Sequence, residues 1–299
     1  MGKLISLPRF TAWQKRILVA MLKSKTSRIR GFSLLCKRCM MFIVALSVIV
    51  SCSVGQQVRP LDDSARLASG FEGGVFLLDG ESGEFFATSE QWLVRAAIPA
   101  STFKVFSSLA ALESGVVAST DQVIRLPKYS STREEINRDL DFASAFALSA
   151  LPHYQHLVRE IGATKMQSYL DNADYGNRST GGGVDQFWIA GDLRITPRQQ
   201  LEFLRRLHGS ELPFRDTVMA QVRQIMQRTE RGGNVFGKTG WATSAEGLHT
   251  GWSIGWLARD RKEPLYFATL LQTTEPGDSF LDIRLLLSLE ALDQVESQH

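Results

Sequence analysis

The chain has 299 residues, a net charge of +3, 44% hydrophobic residues and 22% charged residues. That composition excludes a collagen, a repeat array and a disordered tail, and it leaves room for one large domain or two small ones. The charge is unevenly spread: residues 1–55 carry ten Lys and Arg and no acid, while from 56 onward 24 basic residues face 31 acidic ones.

The basic pI of 8.8 therefore belongs to the head. The body is net acidic, so no nucleic-acid partner is expected. All three cysteines, Cys36, Cys39 and Cys52, also lie in the head. Residues 53–299 can form no disulfide, no thiolate zinc site and no cysteine nucleophile.

The head comes first in chain order. Six basic residues between Lys23 and Arg38 precede the apolar run Met40–Val50, and Ser51-Cys52-Ser53 follows. This is the layout of a secretory signal, with Met21 a plausible initiator. The run is too short for a mature transmembrane helix, which needs about 20 residues. Export to the periplasm is the expectation. Ile49-Val50-Ser51-Cys52 resembles the bacterial lipobox, which makes Cys52 a candidate for lipidation and membrane anchoring. The division is thus residues 1–55 as extension and signal, and 56–299 as one domain.

In the body, Gly74–Asp79 and Glu84–Thr88 flank the turn Gly80–Gly83 and predict a hairpin. Pro99-Ala100-Ser101 opens a helix through about Glu113. Residues 117–230 are mainly helical in pattern. Short segments fall at 142–151, 152–162 and 164–171, a longer helix starts at Thr196-Pro197, and another spans 216–229. Val235–Thr239, Thr250–Ala258 and Leu265–Gln272 are strand-like, with Arg259–Lys262 as a turn. An amphipathic helix covers about 280–294. The economical arrangement is α/β of the α+β type: an antiparallel sheet built from both ends of the body, flanked by its first and last helices. The middle forms a helical subdomain, with a cleft where the two meet.

Two short motifs carry chemistry. In Ser101-Thr102-Phe103-Lys104 the serine and lysine lie three apart on a helix and share a face. A serine hydroxyl becomes a nucleophile when a base takes its proton, and a neutral lysine amine can do so. The neighbours Phe103, Val105 and Phe106 make an apolar setting that favours the uncharged amine. Lysine is scarce in the body, five against 19 arginines. Lys104 and Lys238 are two of the five. The second motif, Lys238-Thr239-Gly240-Trp241, also satisfies the phosphate-loop pattern G-x-x-x-x-G-K-[ST] with Gly232 and Gly237. A phosphate loop leaves an apolar strand and enters a helix, whereas here a helix precedes and a turn-rich stretch follows. The better reading is a strand along a cleft. Lys238 and Thr239 then offer a cation and a hydroxyl to an anionic substrate, and Gly240 permits close approach.

With both motifs in this order, the chain resembles the serine-reactive penicillin-recognising proteins, and within them the class D (oxacillinase-type) β-lactamases. Further matches are Ser149-Ala150-Leu151-Pro152 to that class's S-x-V, Tyr175-Gly176-Asn177 to its Y-G-N, Phe187–Ile195 to its F-W-x-x-G-x-L-x-I, and Arg284 at the head of the last helix. The match runs from about 73 to 290. The S-D-N and deacylating glutamate of class A enzymes are missing. His153, His156, His208 and His249 form no zinc-ligand pattern, so no metal is expected.

The resemblance implies a serine β-lactamase or transpeptidase-like fold and β-lactam hydrolysis through a Ser101 acyl-enzyme, hence antibiotic resistance. Lys104, N-carboxylated by carbon dioxide, would be the general base in both half-reactions, with no other cofactor. Trp188 would hold that carboxylate through its indole N–H. Ser149 would pass a proton to the leaving nitrogen. Backbone N–H groups of Ser101 and Trp241 would bind the oxyanion. Lys238, Thr239 and Arg284 would bind the substrate carboxylate, while Tyr175 and Asn177 would shape the loop. Leu151 departs from the usual valine and adds bulk near the base. The rivals are a β-lactam sensor that acylates without turnover and a penicillin-sensitive cell-wall peptidase. No sequence feature sets an oligomeric state.

Overall fold

A computed structural model describes residues 57–128 and 131–298. The signal, Met21 and Cys52 lie outside the described residues. From the N-terminal side come β1 (Val58–Pro60), α1 (Ser64–Ser69), β2 (Glu72–Asp79), β3 (Phe85–Ala87) and α2 (Glu90–Leu93). A 3-10 turn at Ala100–Thr102 leads into α3 (Phe103–Ser114). A small ribbon, β4 (Val123–Ile124) with β5 (Leu140–Asp141), precedes α4 (Phe142–Ala147), α5 (Leu151–Ile161), α6 (Ala163–Ala173), α7 (Pro197–His208) and α8 (Asp216–Ile225). The last elements are β6 (Val235–Thr243), β7 (His249–Arg259), β8 (Lys262–Thr273) and α9 (Phe280–Glu296).

Strands from both ends join one six-stranded sheet in the order β1-β3-β2-β8-β7-β6. Its two faces are both covered. Val75, Leu77, Leu265, Phe267 and Leu271 meet Phe280, Leu287, Ala291, Leu292 and Val295 of α9. The alternate residues Phe76, Leu78, Trp252, Ile254, Tyr266, Ala268 and Leu270 join the larger core shared with the helical region. Burial on both faces is why β2 and β8 have unbroken apolar runs rather than an alternating pattern.

Three expectations change. The sheet is mixed, because β1 pairs parallel with β3 while every other neighbouring pair is antiparallel. β1 is three residues of Val-Arg-Pro, with no apolar pattern to announce it, and its proline suits an outermost strand. The helix opposite α9 is α7, which packs on β8, β7 and β2. The 99–113 helix packs instead on α5 and α8, and the 3-10 turn before it is what meets β6 and β7. Residues 103–112 are all buried, and a helix buried all round belongs in the interior rather than on a sheet face. Finally, α8 stops at Ile225 instead of 229. The following residues bond to β6: Arg228 N–H donates to Val235 O and Gly237 N–H donates to Met226 O, both at 2.8 Å. A tertiary pairing has overridden helix propensity.

Candidate active site

The 3-10 turn carries Ser101, and Lys104 is the second residue of α3. One helical turn separates them, and Lys104 Nζ donates to Ser101 Oγ at 2.9 Å. Lys104 is 0% exposed and lies 5.3 Å from the Tyr154 ring centroid, with no carboxylate in ion-pair range among the described residues. Burial first, and the positive charge of Arg133 second, lower its amine to about 7. Near neutrality a large fraction of Lys104 is therefore uncharged and able to accept a proton.

Strand β6 forms the facing wall. Val235 O and Gly237 N point away from β7 toward the 226–228 segment, so the two-residue repeat aims the backbone groups of Thr239 and Trp241 along the same outer edge. There the bridging segment has ended, and the edge borders the cleft. Gly240 is needed for close approach, as expected, but to the protein itself: a Cβ there would lie 3.0 Å from Thr102 N and 3.1 Å from Ser101 N. Lys238 is buried, donates to Thr239 O at 3.0 Å, and is held well below the usual lysine range by burial and then by the charges of Lys104 and other cations.

The cleft, about 420 Å³, is lined by Ser101, Ser149, Leu151, Thr239, Gly240, Trp241 and Arg284, and it continues past Lys238. Ser149 stands in the turn between α4 and α5 at φ +54°, a left-handed conformation uncommon outside glycine and turns. Arg284, on α9, is 4% exposed. Its guanidinium donates to Leu281 O through Nε and Nη2, and to Gly240 O through Nη1. Burial lowers it to about 10. It passes over Gly251, where a Cβ would meet its Cδ at 2.7 Å.

Trp188 is buried, stacked on Phe103 at 5.3 Å, and its indole N–H has no partner among the described residues. Asn177 braces its loop, donating to Asp192 O and accepting from Arg194 N. Every predicted binding and catalytic residue but Trp188 and Lys104 thus lines the cleft, and those two lie in the core beside Phe103. Sequence reasoning missed Arg133, which lines the cleft and raises its positive potential. It also missed Ile136 and Leu281, which form apolar parts of the wall. Arg133 stands in a loop with no motif spacing, and only its position in space marks it.

A sequence profile for the penicillin binding protein transpeptidase domain matches residues 73–282. The β-lactamase OXA-48 of Klebsiella pneumoniae is 32% identical over 224 residues, which is 75% of this chain and 83% of that protein. A crystal structure of the class D β-lactamase YbXI from Nostoc superposes with TM-score 0.73 and 32% identity, covering 78% of this chain and 98% of that one. The C-terminal domain of the Bacillus licheniformis BlaR penicillin receptor superposes with TM-score 0.74 and 27% identity, covering 80% and 97%.

Proposed function

Because the chain belongs to the penicillin-binding transpeptidase family and, within it, to the class D β-lactamases, which are serine hydrolases, we propose that it hydrolyses β-lactam antibiotics through an acyl-enzyme on Ser101. One observation carries the assignment of the nucleophile: the 2.9 Å contact between Ser101 Oγ and a lysine amine that is buried without a counter-ion.

The neutral Lys104 amine takes the Ser101 proton as Oγ bonds to the lactam carbonyl carbon. The oxyanion is met by the N–H groups of Ser101 and Trp241, donors fixed before charge appears. The ring C–N bond breaks, and the proton now on Lys104 is returned through Ser149 to the departing nitrogen, which leaves both side chains in their starting states. Lys238, Thr239 and Arg284 hold the substrate carboxylate, with Arg133 adding positive potential at the cleft mouth. Water then cleaves the ester and frees Ser101.

A carboxylate from carbon dioxide on Lys104 fits this pocket, since the amine is in part neutral and the buried Trp188 N–H lacks an acceptor. Bound there, it would supply an oxygen base that persists for the water step. Leu151, at the cleft wall, bears on how freely water arrives. The basic, apolar head makes export to the periplasm, with Cys52 as lipid attachment, part of the same proposal.

The test is mass spectrometry of a penicillin adduct on Ser101 together with steady hydrolysis of a chromogenic cephalosporin, with and without bicarbonate. A transient adduct and continuing turnover are expected. One equivalent of product followed by silence would make the protein a sensor, the activity implied by the name of the receptor domain it resembles. No adduct at Ser101 would end the reading altogether.

A further inference from the structure

Beneath the 3-10 turn runs a buried line of polar groups that none of the steps above uses. Thr102 Oγ1 donates to Pro99 O at 2.6 Å, which commits its only proton. Its lone pairs are left for Gln200, whose Nε2 donates to Thr102 Oγ1 at 3.0 Å. Both side chains are 0% exposed. Gln200 belongs to α7, so this contact ties the turn to the helix that covers the sheet. The Tyr175 hydroxyl lies near enough to both to interact with them, although neither it nor Gln200 Oε1 has a partner at full hydrogen-bond geometry among the described residues.

The turn needs such a tie. Ala100 sits at φ +52°, a strained conformation that a non-glycine residue keeps only when its surroundings over-determine it. On one side, its N–H donates to Trp188 O at 2.9 Å. On the other, Thr102 N–H and Oγ1–H both donate to Pro99 O. Ser101 lies between these two anchors, so its Oγ and its N–H move with them. Gly240 packs on the same backbone and leaves little space for the turn to shift.

We propose that Gln200, acting through Thr102, is a positioning residue that holds the turn closed and aims Ser101 at the reacting carbonyl. The inference rests on Ser101 being the nucleophile. A buried amide and hydroxyl of purely structural value would affect unfolding alone. A clamp on a strained turn affects the acylation step, where misplacement by about 1 Å can cost about a hundredfold.

The experiment uses the full chain and follows the acylation rate constant and the substrate dissociation constant by stopped flow with a chromogenic cephalosporin. Gln200→Leu and Thr102→Val are each expected to slow acylation about tenfold with substrate affinity changed less than about twofold. The double variant is expected to be no slower than the slower single one, because the two act through one contact. Thr102→Ser, which keeps the hydroxyl, is expected to retain the rate within about threefold. In an Ala100→Gly background, where positive φ needs no support, the Gln200→Leu loss is expected to shrink to about threefold.

Additive losses, or wild-type acylation with only a lower melting temperature, would overturn the proposal. If Gln200→Leu does not fold, the contrast between Thr102→Val and Thr102→Ser decides it. An unacylated wild type would instead remove Ser101 as nucleophile, whereas a wild type acylated no faster than the variants would remove only the role of Gln200.

Discussion

Two regions bury cations, and they treat them in opposite ways. At the β7–β8 turn, the Arg259 guanidinium is almost fully buried and meets the equally buried Asp79 carboxylate at 2.6 Å. At the cleft, Lys238 and Arg284 in its wall and Lys104 behind Ser101 are just as buried, yet none has a carboxylate in ion-pair range among the described residues. A paired buried charge holds strands together. An unpaired one stores an unfavourable interaction that an anionic substrate, or loss of the proton, relieves. The contrast teaches where stability was given up for chemistry.

The largest test of this contrast is on activity. Ser101→Ala and Lys104→Met should each lower kcat/KM by about 10³-fold or more, measured by steady-state hydrolysis, since a serine and its base act as a unit. Stability should move in opposite directions at the two regions. Arg259→Met leaves the buried Asp79 carboxylate without its counter-ion, with the Glu81 N–H still donating to it, and should lose about 3–5 kcal/mol in urea unfolding. Lys104→Met removes an uncompensated charge and should gain on the order of 2–4 kcal/mol at pH 7. A loss at both positions would dissolve the comparison.

Protonation sharpens it further. The folded amine of Lys104 titrates at about 7, below its ordinary value, so between those values the unfolded chain binds more protons. Wild-type stability should therefore rise with pH from about 7 toward 10, with the full penalty present below 7, and Lys104→Met should flatten that rise. On the same grounds kcat/KM should climb through about pH 7 and level off above it, because the neutral amine is the active form. A flat profile from pH 5 to 8 would speak against the lysine as base.

A smaller effect is expected at the carboxylate site. Arg284→Ala should raise KM about tenfold with kcat changed less, since in the proposed function the guanidinium binds a substrate group other than the bond that breaks. The smallest concerns Trp188→Phe, which keeps the ring and deletes the N–H. It should reduce the rate gain on adding bicarbonate by a few-fold while leaving Ser101 acylation measurable, because the net contribution of one hydrogen bond is about 0.5–1.5 kcal/mol.

Much of this was legible in the chain itself. The serine–lysine spacing placed both groups within one turn of each other, and in the fold they meet at 2.9 Å. The hairpin, the strands after 235 and the helix start at Thr196-Pro197 followed from turn residues, apolar runs and a proline at the first helical position, and the structure adds a capping box between Thr196 and Gln199. Ser149 was harder. Its segment was expected as one stretch over 142–151, but α4 ends at Ala147 and α5 begins at Leu151. The serine gains its place from the positive-φ turn between them, which Pro152 alone could have hinted at. Arg133 and Gln200 carried no signal, since neither lies in a motif and each acts on a residue distant in sequence.

The sequence by itself determined the serine–lysine pair proposed as nucleophile and base, the cation and hydroxyl on β6, and the existence of a sheet drawn from both ends, because each rests on local spacing and periodicity. Only the tertiary structure decided which helix covers that sheet, that β1 joins it in parallel, and that the Lys104 amine is buried deeply enough to be lowered to about 7. Those depend on which apolar surfaces meet and on how completely water is removed, and both arise from contacts between residues as far apart as Thr102 and Gln200.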